Sequence, residues 1–283
     1  MRYRPYGKAG QVVSAVSLLL DGGVRHSARE WRNQVSAALD LGINGFEIAG
    51  ESPALIEGAS EALAAVEREL LFIIWRPRML PLEPGHAIEA FLARTGLGYL
   101  DLLCFDSAPP SADVLQRLRD TRWVRSYGLT SDDEDTDVLI THGGFDALTT
   151  CYSPVSGWRE RNRLKAAAER GMAVVARNIW PESLHPKPVM FKKPLLGRRR
   201  NPLAGMVGGY NFLEATPGWT PEEICLAYVL TEPAVTTVRF EIDRLDRLER
   251  LASVPDRDLP TGIAAQIEMA RFSADGLRIG ARA

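Results

Sequence analysis

His26 is the first group in this chain that invites a chemical reading. It ends the stretch Asp21-Gly22-Gly23-Val24-Arg25-His26, just after an apolar run, where an imidazole could act as acid or base beside Glu47. A lone histidine in a glycine-rich stretch is more often simply solvated. The same stretch has neither the spacing nor the lysine of a phosphate-cradling loop. A metal site would need His26, Glu47 and Asp106 to converge, and no His-x-x-Glu-His or Cys/His ligand pattern is present, so no metal is expected. Ser52, Asp106 and His26 are the residue types of a nucleophilic triad. No nucleophile elbow surrounds Ser52, and the set reads as coincidence. Cys104, Cys151 and Cys225 lie far apart in apolar segments. They read as buried thiols of a reducing cytoplasm, with neither a disulfide framework nor metal spacing.

The elements that must position such groups follow from composition and pattern. The chain has 283 residues, 34 Lys and Arg against 36 Asp and Glu, and 46% hydrophobic residues. A net charge of −2 lacks the basic surplus of a nucleic-acid partner. No run approaches the roughly 18 apolar residues of a membrane span, and no signal peptide is visible after Met1. A hairpin is expected over Tyr3 to Val13, turning at Lys8-Ala9-Gly10. Short apolar runs then alternate with amphipathic segments. The runs are Ala15–Leu20, Gly45–Ile48, Leu71–Ile74, Leu102–Phe105, Val124–Leu129, Ala147–Tyr152, Ala173–Ala176 and Thr237–Phe240. Their apolar continuity suits parallel strands buried on both faces. Helices are expected at Ser27–Leu41, Leu55–Val66, His86–Arg94, Ala112–Arg119, Asp133–Ile140, Arg161–Arg170, Pro221–Thr231 and Asp243–Ser253, the last capped by Asp243 with Arg244, Arg247 and Arg250 on a solvated face. Eight strand–helix repeats predict an α/β fold, a (β/α)8 barrel, as one domain over 1–283. Thr261–Phe272 adds a C-terminal helix. The segment 178–218 after the seventh strand is a long loop on the catalytic face. Its basic stretch over 192–200 (Lys192, Lys193, Arg198, Arg199, Arg200) reads as a solvated tip or as an anion-attracting lid.

Several phrases, in order along most of the chain, resemble the aldo-keto reductases. They are MRYRPYGKAGQVVSAVSLL at the start, ALDLGINGFEIAGES ending at Ser52, GYLDLLCFDSAPP over 98–110, VRSYGLTS over 124–131, AAERGMAVVARNIWP over 167–181 and EICLAYVLTEPAVTTV over 223–238. The resemblance implies the hairpin-plus-barrel fold and a catalytic tetrad of Asp, Tyr, Lys and His. In that family the Tyr protonates the carbonyl oxygen, the Lys–Asp pair lowers the Tyr pKa, and the His orients the substrate. The matching positions here are Glu47, Ser52, Arg76 and Asp106, so no tetrad residue is retained by identity. A serine hydroxyl is too weak an acid, on too short a side chain, to replace a phenol. Arg76 and Glu47 keep the charges of an ion pair. Two carboxylates, Glu47 and Asp106, beside one guanidinium leave room for one raised pKa and a new acid or base. The competing reading is an ion-pair cluster filling a retired site.

The family's NADP contacts are substituted as well. The Ser-Asn pair that holds the nicotinamide carboxamide matches Thr130 and Ser131, its Gln matches Thr149, and the stacking aromatic matches Arg177, with Trp180 three residues on. In VRFEIDRLDRLERL, Phe240, Glu241 and Asp243 stand where a small-residue turn and a helix N-terminus would hold phosphates. Arg239 or Arg244 remains as an anion contact. NADP is thus a possible cofactor whose key contacts are replaced. Three functions stay open. One is a repurposed barrel that binds a small, anionic molecule at its mouth, with redox-neutral acid–base chemistry. A second is an NAD(P)H-dependent oxidoreductase with a rewired proton donor. A third is a non-catalytic binding or regulatory barrel.

Overall fold

In the computed structural model, which describes residues 1–79, 81, 84–106, 110–185 and 209–280, the chain opens with an antiparallel hairpin. Strands β1 (Tyr3–Tyr6) and β2 (Gln11–Ser14) pair with Tyr3 opposite Ser14 and Tyr6 opposite Gln11, around a short turn at Gly7–Ala9. Eight parallel strands follow. They are β3 (Val16–Asp21), β4 (Gly45–Ala49), β5 (Phe72–Arg76), β6 (Leu100–Asp106), β7 (Val124–Thr130), β8 (Ala147–Cys151), β9 (Ala173–Arg177) and β10 (Val235–Glu241). Each pairs with the next and β10 closes on β3, so the sheet has no free edge. The expected eight-stranded barrel is the one observed.

Helices α1 (Ala28–Asp40), α2 (Pro53–Leu63), α3 (Gly85–Thr95), α4 (Ala112–Asp120), α5 (Asp135–His142) and α6 (Trp158–Glu169) link successive strands. Between β9 and β10 lie the short α7 (Phe212–Ala215) and α8 (Pro221–Leu230), and after β10 come α9 (Leu245–Ser253) and α10 (Ile263–Gly280). Residues 186–208, with the basic stretch over 192–200, lie outside the described residues.

Side chains alternate across each strand. Phe46, Ile48, Ile73, Trp75, Leu103, Phe105, Leu148, Val174 and Ala176 face outward into one large apolar layer beneath the helices. Phe72, Ile74, Leu102, Cys104, Ala147, Ala173 and Val175 form a smaller cluster with Tyr6 and Val13. This second cluster is the barrel interior, and the hairpin plugs its lower end, where the strands begin. Gly45 is required there, because a Cβ at that position would lie 2.8 Å from Val13 Cγ2. Gly58 has the same role outside the barrel: a Cβ would lie 2.1 Å from the Ala28 carbonyl, so α1 and α2 pack backbone to backbone only with glycine.

Several element boundaries differ from expectation. Helix α10 extends to Gly280, and α6 begins at Trp158 rather than Arg161. The last outer helix begins at Leu245 with Arg244 at the cap position and no side-chain cap; Asp243 instead accepts from Arg247 at 3.2 Å. Arg247 is not a solvated side chain either, since it also donates twice to Glu222, at 2.6 and 3.1 Å. Cys151 is half-buried rather than buried, unlike Cys104 and Cys225, and all three thiols are free. Among the described residues no helix is long and apolar enough to cross a membrane.

Candidate functional site

All eight barrel strands run in one direction, so their C-terminal ends gather on one face. Glu47 sits within β4, Arg76 ends β5, Asp106 ends β6 and Arg239 lies near the end of β10. Strand register brings them together. Glu47 is opposite Leu19 and Ile74, and Arg239 is opposite Ser17. The Glu47 side chain is fully buried, and one of its oxygens, Oε1, accepts from Arg76 Nε at 2.6 Å and from Arg239 Nη1 at 2.5 Å. Arg76 Nη1 then donates to Asp106 Oδ2 at 3.2 Å. The other Glu47 oxygen, Oε2, is buried without a partner among the described residues.

This arrangement corrects the expected charge count. The cluster holds two carboxylates and two guanidiniums, not two carboxylates and one. Burial alone would push the Glu47 carboxyl up, but the Arg239 and then the Arg76 guanidinium outweigh it and hold the group below its ordinary range. Arg76 is likewise held in its charged form, against burial, by Glu47 and Asp106. Glu47 is therefore not the raised acid. Asp106 is the member that reaches solvent, its side chain 48% exposed.

Ser52 and His26 do not join the cluster. The Ser52 hydroxyl accepts from the Leu55 backbone N–H at 3.3 Å and caps α2, ahead of Pro53 at the first helical position. His26 contacts Gln34 at 3.3 Å and sets its ring edge-on to Trp31, 4.8 Å between centroids. Neither contact leads to Glu47, Ser52 or Asp106. Among the described residues no three His, Cys, Asp or Glu side chains are placed to hold a metal.

A second network spans the ends of β7, β8 and β9. Thr130 is buried and its hydroxyl meets the Cys104 thiol at 3.2 Å, while burial pushes that thiol up to about 12. The Ser131 hydroxyl accepts from Thr136 Oγ1 at 2.6 Å, and the Thr149 hydroxyl is buried without a partner among the described residues. Arg177 forms an ion pair with Asp132. Asp132 also accepts from the Cys151 backbone N–H at 2.6 Å, from Thr150 Oγ1 at 2.7 Å and from the Cys151 thiol at 3.1 Å. Burial opposes its ionisation, but these donors and Arg177 hold its carboxyl below the ordinary value. Sequence reasoning missed Asp132. Its signal was available, since it directly follows the Thr130-Ser131 pair at the end of a strand.

Between the ends of β9 and β10 and the starts of α8 and α9 lies a cavity of about 680 Å³. Arg177, Trp180, Arg239, Glu241, Asp243, Arg247 and Arg250 all face it. Trp180 stands with its ring centroid 4.1 Å from that of His185, and its indole N–H is buried without a partner among the described residues. Asn178 adopts the left-handed backbone, φ 52°, a costly conformation for a residue other than glycine. The arginines of this cavity differ in how firmly they are held. Arg239 is buried against Glu47. Arg250 is half-exposed and, among the described residues, pairs only with the half-exposed Asp246, at 2.8 Å.

No protein-family model matches the sequence, and no curated protein does. The structure, however, is similar to solved ones. The aldo-keto reductase AKR11C1 from Bacillus halodurans superposes in its holo form with a TM-score of 0.73 and in its apo form with 0.72, at 17% sequence identity, with 95% of each chain covered. An eight-stranded parallel barrel with an antiparallel hairpin across its lower end, matched at that extent, has the aldo-keto reductase fold.

Proposed function

We propose that this chain is a divergent aldo-keto-reductase-type barrel that binds a small molecule with an anionic group at its mouth and does not reduce carbonyls with a nicotinamide cofactor. The observation that carries this reading is the buried Glu47 bridging Arg76 and Arg239, with Ser52 spent on a helix cap. Carbonyl reduction needs a positioned acid where the family has a phenol, and a positioned acid contributes about 10²–10⁴-fold. Ser52 offers none, and Glu47 is held as a carboxylate.

The dinucleotide that the fold family implies does not fit the residues at this mouth. Arg177, which the sequence resemblance matches to the stacking ring, is tied to Asp132. A guanidinium beside a nicotinamide opposes the positive charge that develops when hydride leaves. Glu241 and Asp243 face the cavity, and the sequence resemblance matches them to the phosphate-holding turn, where carboxylates oppose a diphosphate.

A smaller anion meets fewer obstacles. Exposed ion pairs contribute only about 0–1 kcal/mol, so exchanging Asp246 for a ligand carboxylate or phosphate on Arg250 costs little. Trp180 adds an aromatic face and an indole donor without a partner among the described residues. If the bound molecule is turned over without redox chemistry, Asp106 is the base, because it is the carboxylate of the cluster open to solvent. The three free thiols suit a reducing compartment.

A fragment screen by saturation-transfer NMR tests the binding mode. Hits are expected to carry a carboxylate or phosphate, and Arg250→Ala is expected to weaken them by about tenfold, the loss of one charge-assisted contact. Hits without an acidic group, unaffected by Arg250→Ala, would contradict it.

A further inference from the structure

The lower end of the barrel, opposite the mouth, carries a second concave site. A cavity of about 250 Å³ lies between the hairpin turn, the start of β7, and the turns that lead into β8 and β9. Its walls bring Lys8, Arg119, Arg125 and Arg170 together with a single carboxylate, Asp146. In a chain whose net charge is −2, four cations set against Asp146 and the Asp101 carboxylate behind Arg125 leave a local positive excess, a Coulomb cost that a bound anion relieves. From the geometry we propose that this cavity is an anion site for a phosphoryl group, either inorganic phosphate or a small phosphomonoester.

Two of the four cations are anchored as walls. Arg119 donates to the Gly144 carbonyl at 3.1 Å and stands 4.0 Å from Asp146. Arg125 lies over the Tyr99 ring, 3.8 Å from its centroid, and reaches Asp101 at 3.4 Å. Asp146 is itself engaged, accepting the Tyr127 backbone N–H at 2.9 Å. Lys8 and Arg170 have no ion-pair partner among the described residues. This contrasts with the mouth, where Arg177, Arg239, Arg247 and Arg250 each hold a carboxylate.

The backbone shapes the cavity. The Lys8 stem crosses Gly171, where a Cβ would lie 2.0 Å from Lys8 Cε, so glycine keeps the ammonium over the cavity. Gly7, at φ 57°, turns the chain into it in a conformation that suits glycine. Guanidiniums bind phosphate oxygens bidentately, and an ammonium adds a point charge. The volume admits a phosphoryl group with a few further atoms and is too small for a dinucleotide.

NMR titration of the full chain with inorganic phosphate, and separately with glycerol phosphate, tests the site. Both are expected to shift the amides of Gly7, Gly144 and Gly171 saturably, at low millimolar concentration or below. The double variant K8A/R170A is expected to weaken binding by about tenfold or more, and K8R/R170K to retain it. The ligand that binds more tightly identifies the source of the phosphoryl group. Both double variants should melt at the temperature of the parent, since these side chains are exposed. Absence of saturable binding, equal affinity in K8A/R170A, or shifts confined to the mouth around Arg250 would overturn the proposal.

Discussion

Glu47 is the residue on which the mouth turns: a buried carboxylate shared by Arg76 and Arg239 and held in its charged form. A buried carboxylate shared by two guanidiniums contributes little net stability relative to an apolar core, yet breaking it is costly because charge is left buried and unpaired. Glu47→Gln is therefore expected to destabilise the fold by roughly 3–5 kcal/mol in urea titration, whereas Glu47→Leu, Arg76→Met and Arg239→Met together are expected to cost far less. The pH dependence has a defined sign. A carboxyl held below its ordinary value, near 4.5 for this group, contributes stability that is fully present above that value and is lost as pH falls through the folded value. Parent stability should thus fall in acid more steeply than that of Glu47→Gln. Three of the four members of this cluster were legible in the sequence. Glu47, Arg76 and Asp106 could be placed because each lies in or ends a strand of one parallel sheet. The role of Arg239 was not, since its partner is 192 residues away and only barrel closure brings β10 beside β3.

Elements were more legible than contacts. Parallel strands buried on both faces are written as continuous apolar runs, and the eight observed strands coincide with the eight runs to within a few residues. Helix starts depend on one or two hydrogen bonds, and here similar residues behaved differently. Ser27 caps α1 with Glu30 in a reciprocal pair, as its spacing suggests. Asp243 has cap chemistry too, but Arg247 captures its carboxylate and the helix begins two residues later. Ser52 was read as the occupant of a catalytic position, and in the structure its hydroxyl caps α2. Ser52→Ala is expected to lower stability by about 1 kcal/mol through loss of the α2 cap, measured by thermal melting. The same variant should leave fragment binding at the mouth unchanged, whereas a catalytic or ligand-binding serine would show its loss there first.

At the scale of the whole molecule, the barrel offers two charged ends with opposite habits. The mouth collects many charges but pairs them internally through Glu47, Asp132, Glu222 and Asp246, so the near-neutral composition is reproduced locally. The lower end leaves Lys8 and Arg170 without carboxylate partners among the described residues. The fold is shared with aldo-keto reductases, and a shared fold does not by itself fix the chemistry of the side chains at the strand ends. The most direct test is titration of the purified protein with NADPH and NADH, followed by intrinsic fluorescence and calorimetry. The expected result is no saturable binding at micromolar cofactor. Saturable micromolar binding of either dinucleotide, above all if Arg177→Ala weakened it, would contradict the reading of this mouth as closed to nicotinamide chemistry.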